Sequence, residues 1–348
     1  MERSNAIQGW RGLAIIMVFL AHTRTFISPD MTLFSDFGEK GVYIFIVLSG
    51  ILLYKNSLTK AYAGNLKDGF RYALGKVKYL YPLHLVLWLI MFLATTTKDN
   101  LMRQIVYSVF NVSLTQSFIP FSGIINSFNG PSWYLSMCLF LWVMTPVFIK
   151  FVERYHLQDR KGKTFFVSAL IWMLWLNIGN LVLRLITSMS SAINPSWFER
   201  WLLYSCPLLD FVIFIMAYFG CGYFEQKNKS GFQLLIATIV IVLSIELKGN
   251  IPILWNIPFV ASIILLVTHT LNNKEAVLTS IMSCKPLVFM GNISSYFFLI
   301  HGVINLLISR TGLENMRPWI FFISFAVSFV LSYLIYHFTG SRKKALSF

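Results

Sequence analysis

The feature that most constrains this fold is a series of ten apolar runs, each near the length that crosses a bilayer as one helix. About 20 apolar residues in helical form span the hydrocarbon core of a membrane, and such runs recur along almost the whole chain of 348 residues. The sequence therefore predicts an all-α, polytopic membrane protein with about ten transmembrane helices. The predicted spans are residues 8–27, 41–55, 79–97, 131–150, 164–186, 206–224, 231–247, 251–270, 288–309 and 318–338.

Two further apolar patches, at residues 101–121 and 276–287, are too polar to span the membrane. We expect them to lie at the membrane interface or to re-enter the bilayer. The sequence contains no internal repeat, no low-complexity tract and no room for a linker. We therefore predict a single transmembrane domain over residues 1–348, without an appended soluble domain.

The charge distribution is typical of a membrane protein and not of a nucleic-acid-binding one. Only 12% of the residues are charged, whereas soluble domains average about 25%. The formal net charge of +15 comes from Lys and Arg in short segments between the apolar runs. Segments on the N-terminal side of the membrane carry more than twice as many of these cations as segments on the other side, which predicts that both termini are cytoplasmic. We expect membrane lipid, and not nucleic acid, as a partner.

The sequence gives no support for a metal site. The four cysteines lie in or at the ends of apolar runs without disulfide or metal-ligand spacing, so we interpret them as small packing residues. A Ser-His-Asp arrangement, an HExxH motif, a P-loop and a GxGxxG motif are all missing from the sequence. We expect no metal cofactor.

The first span carries one Arg and one His inside an otherwise apolar run. Arg11 and His22 are eleven residues apart, which is three helical turns plus about 20°, so both lie on one helix face about 16 Å apart. Such side chains are costly in lipid, and this favours a functional site. The alternative is that Arg11 extends to the cytoplasmic interface and His22 lies near the outer end, with no relation between them.

Two further segments combine small or basic residues with apolar runs. Ser49 and Gly50 lie mid-membrane, where a small pair lets a ligand approach the backbone, although simple helix packing also explains it. Lys76 and Lys78 end the inner loop before the third span. There they suit an anionic lipid or a nucleotide phosphate, and positive-inside anchoring is the alternative.

Aromatic and imidazole side chains mark two later segments. Trp133 and Tyr134 follow a Gly-Pro break at the outer end of the fourth span, where they suit stacking on a carbohydrate or an ordinary aromatic belt. His301 lies inside the ninth span, and both a structural and a catalytic role stay open for it.

Together, and in this order, these segments resemble acyltransferase family 3, the integral-membrane O-acetyltransferases that modify bacterial surface polysaccharides. The resemblance covers nearly the whole chain. Its most specific part is an Arg-x10-His element, matched by Arg11 and His22. Two further elements are matched by Gly41, Val42, Phe45, Leu48, Ser49 and Gly50, and by Gly291, Ser294, Leu299 and His301.

The chain departs from this family mainly at acidic and basic positions. Gln8 stands where an acidic residue often precedes the Arg by three, and Tyr43 stands where Asp often follows Gly-Val. Tyr79 occupies a position that is commonly Arg, and Cys138 lies where Glu often follows the Trp. The acidic partners that would orient the catalytic His are therefore missing or come from elsewhere in the chain.

The resemblance implies acyl transfer across the bacterial inner membrane by a multi-pass enzyme. Acetyl-CoA, or another short acyl-CoA, would bind from the cytoplasm. The resemblance implies His22 as general base or acyl carrier on a hydroxyl of a cell-envelope glycan, and Arg11 as a second catalytic and donor-binding residue. The further donor-binding residues would be Arg71, Lys76, Lys78 and Ser49, and the acceptor-binding residues Trp133, Tyr134 and His301.

Two other functions fit the same span count. Intramembrane Arg and His also line substrate paths in transporters and flippases, although this chain lacks repeated halves and paired broken helices. A glycan polymerase is the other alternative. The sequence leaves open whether the protein forms a homo-oligomer.

Overall fold

The protein is mainly helical over the part of the chain that a computed structural model describes. That part comprises residues 4–28, 30–32, 34–58, 64–189, 195–226, 231–246, 256–311, 316–317 and 319–340, and it contains no strand. The prediction of an all-α, multi-pass membrane protein is confirmed. The helices are α1 Asn5–Ile27, α2 Phe37–Ser57, α3 Leu66–Val77, α4 Tyr81–Thr95, α5 Leu101–Val112, α6 Ser122–Ile125, α7 Trp133–Arg154, α8 Lys161–Met189, α9 Pro195–Arg200, α10 Pro207–Glu225, α11 Gly231–Glu246, α12 Asn256–Asn272, α13 Val277–Met282, α14 Lys285–Ser309 and α15 Trp319–Ile335.

Among the described residues, seven helical segments are long and apolar enough to cross a membrane, or eight when a bent pair counts as one span. The bent pair is α3 and α4, whose axes meet at 68°. Two shorter apolar helices, Gln233–Ser244 and Asn256–Asn272, lie where the sequence predicts the seventh and eighth spans. Residues 251–255 of the eighth predicted span lie outside the described residues. The count of ten and the cytoplasmic location of both termini stay predictions.

Contacts divide the chain into two compact units. Unit 1 is Met1–Asn56 with Met216–Phe348, and unit 2 is Ser57–Ile215. The prediction of one domain over residues 1–348 stays a prediction. Each unit is described by itself below.

In unit 1, α2 lies antiparallel to α1. Gly38 at the start of α2 lies beside Ala21, and Gly41, one turn later, lies beside Ala14. A β-carbon at Gly41 would collide with the Ala14 carbonyl oxygen, so the two backbones approach more closely than larger residues allow. This close approach explains the glycine of the Gly-Val motif.

In the same unit, α14 runs parallel to α1. Arg11 contacts Ser295 and, further along both helices, His22 contacts His301. If both helices cross the membrane, an odd number of crossings must lie between them. Eight or ten spans satisfy this condition, whereas the seven longest segments alone do not.

Backbone contact also fixes the position of α1 against α14. A β-carbon at Gly12 would collide with the Leu287 carbonyl, and one at Gly291 would collide with the Gln8 carbonyl. Glycine is therefore required at both positions, because only the missing side chain lets the two backbones meet. This contact turns the face of α1 that carries Arg11 and His22 toward α14.

In unit 2, the segment before the third span forms a helix. The expectation of an inner loop is wrong over Leu66–Val77, which is α3. Asn65 caps this helix through the Asp68 backbone N–H, and Gly69 packs beneath the Val143 carbonyl of α7. Residues 101–121, predicted to avoid spanning, begin with α5, an amphipathic helix with an exposed apolar face.

Candidate active site

Two imidazoles from α1 and α14 meet in unit 1. His22 Nδ1 lies 3.3 Å from His301 Nε2, and the ring centroids are 5.2 Å apart. His22 is exposed, whereas His301 is fully buried. The pair thus has a fixed inner member and an accessible outer member.

Backbone carbonyls determine where the protons lie on this pair. His301 Nδ1 lies 2.9 Å from the Phe297 carbonyl oxygen, and a carbonyl only accepts hydrogen bonds, so Nδ1 carries the proton and donates it. His301 Nε2 is then the bare, accepting nitrogen of a neutral ring. His22 Nδ1 lies between this nitrogen and the Val18 carbonyl, 2.9 Å away. Since both neighbours are acceptors, His22 Nδ1 carries the proton and Nε2 is the basic nitrogen.

Aromatic side chains hold the inner imidazole in place. Phe297 stacks on His301 with centroids 5.9 Å apart and planes 14° apart. Phe19 and Phe298 approach the same ring edge-on, at 6.2 and 5.9 Å. Such packing restricts rotation of the buried ring, so the acceptor that it presents to His22 is fixed in direction.

Arg11 lies on the same side of α1, toward the helix start. Its Nη2 donates to Ser295 Oγ at 2.7 Å, which ties the guanidinium to α14. Eleven residues of helix separate Arg11 from His22, or about 16 Å. This distance exceeds the reach of either side chain, so the two side chains cannot contact the same atom.

An acyltransferase 3 family model, described as an acyltransferase domain, matches residues 4–337. The chain belongs to this family. The protein is therefore a multi-pass membrane acyltransferase, and the predicted family membership and enzyme class are confirmed. No curated protein and no solved structure matches the chain.

In this acyltransferase, Ser49 is buried on α2 within unit 1. Its hydroxyl donates to the Phe45 carbonyl of its own helix at 2.9 Å. A serine bonded in this way retains oxygen lone pairs for a further donor. Its predicted contact with the acyl donor stays a prediction.

The basic residues predicted to bind the donor lie in unit 2, on or directly after α3. Arg71 is exposed, with Nη1 3.5 Å from Asp68 Oδ1, and Lys78 is exposed beside the Tyr79 ring. Lys76 is half-buried and lies over the Tyr72 ring, with 5.4 Å between Nζ and the ring centroid. The three cations lie on more than one face of the helix.

Trp133 and Tyr134 also lie in unit 2, where a short helical turn at Gly130–Ser132 leads into α7. Trp133 is buried with its ring 5.2 Å from that of Tyr204. Tyr134 is half-buried and edge-on to Trp133. Their predicted role in binding a sugar stays a prediction.

Two features of unit 1 were not expected from the sequence. His301, whose predicted contact with the acceptor stays a prediction, lies against His22. In addition, a buried polar cluster forms in which Lys40 donates to Asn256 and Asn256 donates to Glu39. The late His motif was the only signal for the first feature, and no local pattern pointed to Asn256 as the partner of a buried Lys.

Proposed function

We propose that this acyltransferase moves an acetyl or other short acyl group from acyl-CoA to a hydroxyl of a cell-envelope glycan, with His22 as general base. The observation that carries the proposal is the position of His22 Nδ1 between the Val18 carbonyl and His301 Nε2. Both neighbours accept hydrogen bonds, which leaves the basic Nε2 on an exposed residue. A neutral imidazole held in one tautomer is suited to removing a proton from a hydroxyl.

The transfer then needs two proton movements. The hydroxyl oxygen attacks the thioester carbonyl while His22 Nε2 takes the hydroxyl proton. The carbon–sulfur bond breaks, and the leaving thiolate takes that proton back from the imidazolium. The products are the ester and free coenzyme A, and a thioester is reactive enough for this sequence to need no metal. The alternative course, in which Nε2 itself carries the acyl group, uses the same nitrogen.

The spacing of Arg11 and His22 supports a long donor. With His22 at the thioester, Arg11 lies about 16 Å away along α1, where it suits a phosphate or carbonyl of the extended coenzyme arm. The predicted contact of Lys76, in unit 2, with a phosphate of the donor stays a prediction. Ser295 would hold the Arg11 guanidinium in position.

The acceptor is proposed on chemical grounds and on family membership. A hydroxyl needs a base, and the family model supports an acyltransferase in a membrane. Tyr134, which is half-buried, is the proposed contact for a sugar ring, since aromatic faces stack on carbohydrate, and the predicted contact of the buried Trp133 stays a prediction. We propose the inner membrane of a bacterium as its location.

The test uses the full-length protein in vesicles with radiolabelled acetyl-CoA and glycan from the cell envelope. We expect His22→Ala to lower glycan acetylation by about 10²–10⁴-fold, the usual contribution of a general base. His156→Asn is the matched control, because His156 lies in an exposed turn of unit 2, and it should retain activity. Mass spectrometry of the envelope glycan identifies the transferred group.

Two results would contradict the proposal. Correctly inserted His22→Ala protein that still acetylates glycan at the wild-type rate would exclude His22 as the base. Movement of unmodified glycan across vesicle membranes without acyl-CoA would instead indicate a transporter.

A further result distinguishes the two courses of catalysis. Radiolabel that remains on the wild-type protein, and not on His22→Ala, would favour the acyl-His course over general base catalysis.

A further inference from the structure

Helix α3 has three distinct faces. The first is buried and small-sided, and packs within unit 2; it consists of Gly69 and Ala73, and Val77 is also buried at the end of the helix. The second is apolar, with each residue more than half exposed; it consists of Leu66, Phe70 and Leu74. The third is basic and exposed; it consists of Lys67, Arg71 and Lys78 at the helix end.

The apolar and basic faces lie side by side. At 100° per residue, Leu66, Phe70 and Leu74 fall within an arc of about 80°. The three basic residues fall in the next arc of about 40°. A strip of cations along the edge of an exposed apolar strip is the pattern of a helix that lies in a membrane interface.

The direction of α3 fits such a location. Its axis is bent by 68° from that of α4, the apolar helix that follows it. If α4 crosses the bilayer, α3 lies much closer to the membrane plane than to its normal. Its apolar face then reaches the acyl chains while the basic strip lies at the depth of the phosphates.

We propose that Lys67, Arg71 and Lys78 form a binding site for the headgroup phosphate of an anionic phospholipid. The bound lipid lies with its acyl chains against Leu66, Phe70 and Leu74. The site is separate from the chemistry proposed above, and its existence does not depend on that function.

Helix α5 supplies an internal comparison. It follows the other end of α4 and also exposes an apolar face, formed by Leu101, Met102, Ile105, Val106 and Val109. On α5 itself Arg103 is the one basic residue, about 60° beyond the edge of that apolar arc, whereas three cations follow the apolar arc of α3. The excess of cations on α3 is therefore a property of one end of α4, as expected if that end meets the anionic leaflet.

The positions of the basic residues around α3 also distinguish a site for the lipid headgroup phosphate from a site for a phosphate of the acyl donor. Lys76 lies on the other side of the buried face, about 140–180° around the helix from the residues of the basic strip, and contacts Tyr72. Arg71 and Lys78 thus belong with the lipid, and Lys76 is left for the acyl donor. Competition between the two ligands distinguishes these assignments.

The test is photo-crosslinking of the full-length protein in phosphatidylcholine vesicles that contain a trace of photoactivatable phosphatidylglycerol. We expect adducts on residues 66–78, with a preference over photoactivatable phosphatidylcholine of about fivefold per basic residue at low salt. The triple variant K67Q/R71Q/K78Q should lose this preference. K76Q should keep it, as should the K98Q/R103Q variant at the other end of α4.

Two further measurements make the result decisive if the triple variant is poorly inserted. In the wild-type protein, 0.5 M salt should reduce adducts on α3, because exposed charges are screened, and should leave those on α5 unchanged. Equal labelling of α3 by both lipids would overturn the proposal. Protection of α3 by acetyl-CoA, but not by unlabelled phosphatidylglycerol, would also overturn it and assign the strip to the donor.

Discussion

Replacement of His301 tests whether the inner imidazole orients the outer one. His301→Phe keeps an aromatic ring of similar size against Phe297 and Phe298 but removes the nitrogen that accepts from His22 Nδ1. His301→Gln is the matched variant, since its amide oxygen can return an acceptor near the position of Nε2. We expect Phe to impair catalysis and Gln to restore part of it.

The size of the effect follows from the charge that His22 gains. Once His22 Nε2 has taken a proton, the imidazolium donates a charged hydrogen bond from Nδ1 to His301 Nε2. Hydrogen bonds of charged groups contribute about 1.5–3 kcal/mol of stabilisation. At 1.36 kcal/mol per factor of ten, His301→Phe should lower kcat by roughly 10- to 150-fold. The KM for acyl-CoA should change little, because the interaction strengthens only as the proton moves.

The assay is steady-state transfer from acetyl-CoA by purified variants whose insertion is checked by size-exclusion chromatography and thermal unfolding. Since His301 is proposed to act through His22, the double variant H22A/H301F should be no slower than H22A alone. Losses that simply add in the double variant would refute the reasoning. So would a stable, inserted His301→Phe enzyme with the wild-type kcat.

Two predictions concern stability, measured as the midpoint of thermal unfolding in detergent. Gly291→Ala should lower the midpoint sharply, because the new β-carbon meets the Gln8 carbonyl. Gly75→Ala in α3 should instead raise the midpoint, with a gain of about 0.5–1 kcal/mol in the free energy of unfolding, since a β-carbon there meets nothing within 4 Å. Equal effects would contradict the packing argument. Asn256→Leu should lower the free energy of unfolding by about 1–3 kcal/mol, because it leaves the buried Lys40 ammonium without its amide acceptor. Adding Lys40→Met to this variant should recover stability. If stability does not recover, the unpaired ammonium is not the cause.

The apolar helices were predictable because lipid leaves a chain few choices. Backbone groups in hydrocarbon must bond within the segment, so an apolar run of sufficient length becomes a helix whatever its neighbours are. All ten predicted spans coincide with helices, with bounds within a few residues over the described part of the chain. α3 was missed because its pattern mixes Lys, Arg and Gly with apolar residues. Its helical state depends on packing Gly69 against α7 and on the cap at Asn65.

The candidate site divides in the same way. The spacing of Arg11 and His22 on one helix face depends only on the helical repeat, so the sequence determined it without knowledge of any partner. The sequence did not determine which group orients His22. That partner is 279 residues away along the chain, and only the packing of α14 on the glycine face of α1 brings it within 3.3 Å. Local periodicity is a property of neighbouring residues, whereas a contact between distant helices depends on how their surfaces fit, and this only the tertiary structure decides.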